Sequence, residues 1–314
     1  MGTAPVLVVG GANMDIIAGA GQALRSGDST PGKVRSSPGG VARNVAENLA
    51  RLGDAVRLIS AVGDDPPGRA LLAATRQAGV DVSGCQVLVG AATASYVSVH
   101  EPDGSLAVAV NDMQVLEQLT PATLAPHAGA FRDAALWVLD CNLAEPALAW
   151  LFAQSAASHE PAPVFADAVS APKCLRLRPW LAQIHTLKLN RLEAQALSGL
   201  PVNSAAEVEA AARWLNGQGV QQVVVSLGAE GLHFSSATHK GWQAALPVRV
   251  LNTTGAGDAL MAGLVHSHRQ HASLPEAARF ATGCAALTLT VPSANHPGLS
   301  AALVAQCLNE HAAP

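Results

Sequence analysis

The run Asn252-Thr253-Thr254-Gly255-Ala256-Gly257-Asp258-Ala259-Leu260-Met261-Ala262-Gly263 joins two glycines and a carboxylate at the start of a helix-forming segment. Glycines at 255 and 257 let the backbone turn tightly and leave amide N–H groups unpaired at a helix start, where the macrodipole favours negative charge. That arrangement suits a phosphoryl group in transfer. Asp258, in the first turn, is expected to stay ionised beside those amides and to take the proton of an attacking hydroxyl. The same residues also suit a plain turn and helix start, and spacing alone does not separate the two readings.

Other segments carry polar groups in similar places. Gly11-Ala12-Asn13-Met14-Asp15 follows the first apolar run and puts an amide and a carboxylate at the edge where open parallel sheets take ligands, although Asn13 and Asp15 are equally good turn formers. Pro38-Gly39-Gly40-Val41-Ala42-Arg43-Asn44 opens a helix on two glycines. Asn190-Arg191-Leu192-Glu193 stands between a strand and a helix, where an ordinary helix N-terminus would look the same. Ser226-Leu227-Gly228-Ala229-Glu230-Gly231 follows a late strand.

The elements that must position these residues alternate. Residues 5–9 read as a buried strand, and Val41, Val45, Leu49 and Leu52 recur at helical spacing up to a stop at Gly53. Strands follow at 56–62, 136–139, 164–166, 186–189 and 223–226, with helices at 68–78, 145–157 and 205–218. An antiparallel stretch around 232–234 and 242–245, a strand-like run at 248–251 and helices at 256–269 and 274–290 complete the pattern. Such alternation predicts an α/β domain, a mainly parallel sheet between helices. Residues 18–38 and 94–110 do not fit it. The second has period-two patterning on both sides of Pro102-Asp103-Gly104, a hairpin signal. A small β-rich flap accounts for both, either as a lid that excludes water or as a dimer contact.

Taken together, these motifs resemble those of the PfkB, or ribokinase-like, carbohydrate kinases, whose C-terminal signature DTxGAGD stands here as NTTGAGD. The resemblance implies one ribokinase-like domain over 1–314, a three-layer α/β/α fold with lid segments at about 16–38 and 93–111. It implies that Gly255, Ala256 and Gly257 form an anion hole and Asp258 is the base, and that Asn13, Asp15, Gly39, Gly40 and Asn44 hold a sugar. Asn190 and Glu193 would organise Mg²⁺ and phosphates, Glu193 through water, while Ser226, Gly228 and Gly231 would form the ATP loop. Asn252 and Thr254 would hold a monovalent cation such as K⁺, although Asn252 replaces the family's aspartate. A homodimer through the flap is expected from the family and from the edge a small sheet must cover.

Within the family the resemblance narrows to the pseudouridine kinases. They share the helix spanning 39–50, Asn111-Asp112-Met113, Asp140-Cys141-Asn142, Asp167-Ala168-Val169-Ser170, Lys173 and the block 185–194. Their implied reaction is ATP-dependent phosphorylation of the 5′-hydroxyl of pseudouridine, with Asn111 and Lys173 contacting base or ribose. Asn111 could instead be a turn residue and Lys173 a solvated charge. The alternatives are a kinase of another nucleoside or sugar, such as ribose or adenosine, and a noncatalytic binder of the same fold.

Composition narrows the classes further. Over 314 residues, 49% are hydrophobic and 13% charged, with a formal net charge of -4, so a large core is available and no basic field exists for nucleic acid. The N-terminus lacks a secretory pattern, no apolar run spans a bilayer, and the chain reads as cytoplasmic. Cys85, Cys141, Cys174, Cys284 and Cys307 are scattered and suggest reduced thiols. The segment Gly27 to Val34 approaches a Walker A loop, but Pro31 and Val34 spoil it. No G-x-G-x-x-G follows the first strand, and the spacing of His266, His268 and His271 does not gather a metal pair.

Overall fold

The computed structural model describes residues 4–311. Its central sheet has eight strands in the order Lys240–Gln243, Leu232–Ser236, Gln222–Ser226, Thr186–Asn190, Val164–Asp167, Leu136–Asp140, Val6–Val9 and Val56–Ile59. All neighbours are parallel up to Gln222–Ser226, and the last two strands at that edge run antiparallel. Val6–Val9 shows why these strands read as continuous apolar runs. Leu7 and Val9 enter one core, with Phe152, Leu189 and Leu215, while Val6 and Val8 enter the other, with Leu49, Met261 and Ala278. Both faces are covered, so neither can be polar.

Helices Val41–Arg51, Ala256–Arg269 and Leu274–Leu289 cover one face; Glu145–Ala156, Arg191–Ser198 and Ala205–Gly217 cover the other. The three-layer α/β/α expectation holds. Among the described residues no helix is long and apolar enough to cross a membrane. The cysteines are free thiols, all buried except the half-buried Cys85.

The segments that broke the alternation form a separate four-stranded sheet, ordered Gly32–Gly39, Asn13–Ala20, Ser95–His100 and Leu106–Asp112. The Pro102-Asp103-Gly104 hairpin is present, with Gly104 at φ 86. The Walker-like segment ends in the first of these strands rather than in a helix, as its rejection requires.

Two readings need correction. Residues 248–251 are not a strand: they have no ladder partner, Val250 and Leu251 are exposed, and the backbone is tied only where Leu251 and Asn252 donate to the Leu289 carbonyl. Apolar composition there does not mark a sheet; Leu251 lines a cleft instead. Asn13 and Asp15 are not in a turn after the first strand, because the chain passes directly into Asn13–Ala20 of the small sheet. The C-terminal helix Ala301–Glu310 and the short helical turns between 114 and 133 were not anticipated.

Candidate active site

The signature helix Ala256–Arg269 begins at Gly255, whose φ of 82 is left-handed, and a Cβ there would lie 1.8 Å from the Ala294 carbonyl oxygen. Only glycine fits. No side chain caps this helix; Ala256 N donates to Thr253 O at 3.4 Å, and the amides that follow it in the first turn remain for a ligand. The approach is an Asx turn in which Thr254 N donates to Asn252 Oδ1 at 3.0 Å, while Asn252 Nδ2 donates to Pro292 O at 3.3 Å.

Asp258 is buried at the first turn, and Asn44 Nδ2 donates to its Oδ2 at 2.8 Å. The orientation of Asn44 is fixed from behind, since Arg43 Nη1 donates to Asn44 Oδ1 at 3.0 Å and to Asn295 Oδ1 at 3.0 Å, and Arg43 also pairs with Glu47. Burial pushes the Asp258 carboxyl up to about 7, Asp167 and Asp140 push the same way, and Lys188 and the Asn44 amide oppose them. This corrects the expectation of a carboxylate kept ionised by the helix start. Desolvation beside two other acids outweighs the dipole.

Asp15 lies across the cleft on the small sheet. Asn13 Nδ2 donates to its Oδ1 at 2.7 Å, and burial raises its carboxyl above the usual range against that hydrogen bond and Arg43. A Cβ on Gly39 would sit 2.2 Å from Asp15 Oδ2, and one on Gly40, at φ 98, 2.5 Å from Gly11 O. The glycine pair therefore makes room for the carboxylate and for the entry into helix Val41–Arg51. Asp15, Arg35, Tyr96 and His100 of the small sheet face Leu251, Asn252 and Thr254 across an open cleft of about 1250 Å³.

The remaining residues do not line this cleft. Asn190 and Ser226 are register partners at the ends of adjacent strands, and Gly228 and Gly231 bound the turn that follows. Ser226 Oγ donates to Leu189 O at 3.2 Å. Asn190 and Glu193 form a reciprocal cap: Asn190 N and Nδ2 each donate to the Glu193 carboxylate at 2.7 Å, and Glu193 N donates to Asn190 Oδ1 at 2.9 Å. Lys173 is not a solvated charge. It is half-buried, its Nζ donates to Asn142 Oδ1 at 2.6 Å, and desolvation lowers its pKa. Asn111 is exposed in strand Leu106–Asp112 rather than in a turn, directly across from Tyr96, which pairs in turn with Asp15. His266, bonded to Asp54, and His268, packed on His185, lie outside the site.

Three residues at the strand ends were not singled out from sequence as site residues. Asp140 accepts from Gly11 N at 2.8 Å, Ala42 N at 3.0 Å and Asn142 N at 2.8 Å, tying the first strand to the helix that carries Asn44. Asp167 accepts from Val169 N at 2.9 Å and pairs with Lys188 Nζ at 2.9 Å. Charged residues inside or closing the apolar runs LWVLD, VFAD and TLKLN were the available signal, since a buried charge needs a partner.

Comparison with known proteins extends the likeness over nearly the whole chain. The pseudouridine kinase of Escherichia coli strain K12 is 42% identical over 97% of this chain and 98% of its own length. The uncharacterised sugar kinase YeiI of the same strain is 41% identical over 94% of this chain and 81% of its own. Among solved structures, a carbohydrate kinase from Agrobacterium tumefaciens superposes with a TM-score of 0.84 at 31% identity, over 97% of each chain. With a glycine-lined helix start, a buried aspartate beneath it and a family match running from residue 3 to residue 302, this chain belongs to the pfkB family of carbohydrate kinases and is a phosphotransferase.

Proposed function

We propose that this protein transfers the γ-phosphoryl group of ATP to the 5′-hydroxyl of pseudouridine. The observation that carries the reading is the junction of Asn44 and Asp258 at 2.8 Å beneath the uncapped start of Ala256–Arg269, with Asp15 on the small sheet lining one cleft with Asn252 and Thr254, which lead into that helix. The substrate is suggested by the likeness to the E. coli pseudouridine kinase, together with a cleft large enough for a nucleoside.

Asn13, Asp15, Gly39, Gly40 and Asn44 hold the ribose, and Asn111 and Lys173 meet the base or ribose. Asp258 takes the proton of the hydroxyl as its oxygen attacks phosphorus, and the amides of Gly255, Ala256 and Gly257 receive the charge on the transferring group. Positioning and charge stabilisation supply most of the rate, because phosphoryl transfer needs little covalent help from protein. ATP lies along Ser226, Gly228 and Gly231. Both Glu193 oxygens are already engaged by Asn190, which fits a contact to Mg²⁺ through water rather than direct coordination. Bound Mg²⁺ would neutralise phosphate charge there. A noncatalytic binder would have no use for a desolvated carboxyl aligned with an anion site.

The small sheet acts as the lid of a single domain, and its far face is the dimer surface. By register Val34, Val97, Val108 and Val110 share the side opposite Asp15, and all four are exposed. A second copy of this chain is the proposed cover, and sedimentation that gives a monomer at micromolar concentration would remove that part of the reading.

The deciding assay is ATP-dependent phosphorylation of pseudouridine beside uridine, ribose and adenosine. Preference for pseudouridine is expected. Turnover of another acceptor in its place would assign the enzyme to that substrate, and no turnover of any acceptor would sink the kinase reading.

A further inference from the structure

The buried end of the sheet gathers Asp167 and Asp258 around one ammonium, that of Lys188, which is 7% exposed, with Asp140 beside the two acids. Their hydrogen bonding differs. Asp140 accepts from three backbone amides, and Asp167 from Val169 N and Lys188 Nζ, whereas Asp258 accepts from Asn44 alone among the described residues. The Asp167 anchor is held at a conformational cost. Val169 sits at φ 63, a left-handed backbone that a β-branched residue rarely adopts, in the turn that closes on Asp167 through the Val169 N–H. Lys188 Nζ, in turn, lies 2.8 Å from the point a Cβ on Gly257 would occupy, directly under the first turn of the signature helix.

We propose that Lys188, anchored by Asp167, is the positioning residue that lets Asp258 work as an ionised base and supports the Gly257 turn above it. Without that ammonium, Asp167 and Asp258 would share a desolvated pocket with no counter-charge of their own, Asp140 keeping Lys173 nearby, and one of the two would have to hold a proton. The carboxyl with the fewest donors takes it, and that is Asp258. The groups facing Asp258 are Asp167 and Lys188 from adjacent strands, Asp140 from the next strand, and the neutral Asn44 from helix Val41–Arg51; Glu193 acts on Lys188 from its far side.

This inference rests on the reading of Asp258 as the base, and its test is separable from that reading. The Asp258 carboxyl is titrated by ¹³C NMR in the folded, substrate-free protein, with the signal assigned by its loss in Asp258→Asn, and the pH profile of kcat/KM is measured alongside. Lys188→Met should move the Asp258 midpoint up by about one to three units, the usual effect of losing an opposite charge. A lysine with a purely structural role would lower activity equally at every pH and leave the midpoint in place, and an unshifted midpoint in Lys188→Met overturns the proposal. Should that variant not fold, Lys188→Gln, which removes the charge but keeps a donor for Asp167, decides: a higher Asp258 midpoint supports the proposal, an unchanged or lower one overturns it. Absence of pseudouridine turnover by the wild type would sink the substrate reading without touching the titration.

Discussion

Asn44 and Asp258 stand 214 positions apart in the chain and meet in a 2.8 Å hydrogen bond. Because Arg43 occupies the Asn44 oxygen, the amide can only present its NH₂ to Asp258, so the bond always favours the carboxylate form of the acid. Two glycine-led helix starts, from opposite ends of the sequence, thus converge on one proton acceptor.

Replacing that acceptor isolates its role. Asp258→Asn keeps the shape and removes the base, and kcat should fall by roughly 10² to 10⁴, the usual span for general-base loss, with little change in ATP affinity. Steady-state turnover and nucleotide titration check this. A variant with near-normal kcat would exclude Asp258 as the base.

The pH dependence follows from the same group. With its carboxyl at about 7, the free enzyme should gain kcat/KM as pH rises through that value, and at pH 6 it should run roughly tenfold below its plateau. Stability moves the opposite way. For an acid whose folded pKa is raised, the native state binds the proton more tightly, so this contribution is full below the unfolded value of 3.8 and is lost as pH climbs through about 7. Thermal melts of wild type against Asp258→Asn across that window should converge at low pH and separate in favour of the variant at high pH.

Much of this site was legible before any coordinates. Gly255, Asp258, Asn44 and Asp15 stand in glycine-containing polar runs at the ends of apolar segments, which marks them as candidates, while the same runs also suit plain turns and helix starts. What sequence could not give was the environment of Asp258. A first-turn acid is normally ionised, but its burial and the approach of Asp167, Asp140 and Lys188 depend on strand order, which brings Leu136–Asp140, Val164–Asp167 and Thr186–Asn190 side by side. The 248–251 run misled for the opposite reason: Val250 and Leu251 are exposed, Leu251 on a cleft wall, and periodicity does not tell such a segment from a sheet.

The anion site depends on the backbone at Gly255. Alanine there would adopt a disfavoured φ, at about 1–3 kcal/mol, and would collide with the Ala294 carbonyl, so the first turn must shift. Gly255→Ala should lower kcat by about 10² or more, the usual loss when one such donor is displaced, while far-UV circular dichroism stays native. Unchanged turnover would mean that the transferring group lies elsewhere.

Potassium dependence turns on Asn252. Its oxygen accepts from Thr254 N and carries no charge, so a monovalent cation gains little there compared with a carboxylate. Turnover should be the same in potassium and tetramethylammonium chloride. A marked activation by potassium would instead show that Asn252 and Thr254 build a cation site without a formal charge.

Asp15 acts on the other partner in the reaction. It lies on the small sheet with one oxygen held by Asn13, and its second oxygen borders the space left open by Gly39, so it can accept ribose hydroxyls without moving. A charged hydrogen bond of this kind is worth about 1.5 to 3 kcal/mol, and it forms before the transfer begins. Its loss in Asp15→Ala should therefore raise KM for the nucleoside by about ten- to a hundredfold and leave kcat far less affected, the mark of an interaction made equally in ground and transition states. Should kcat fall while KM stays constant, Asp15 would belong with the transfer machinery around Asp258, and the division of labour between the small sheet and the signature helix would have to be redrawn.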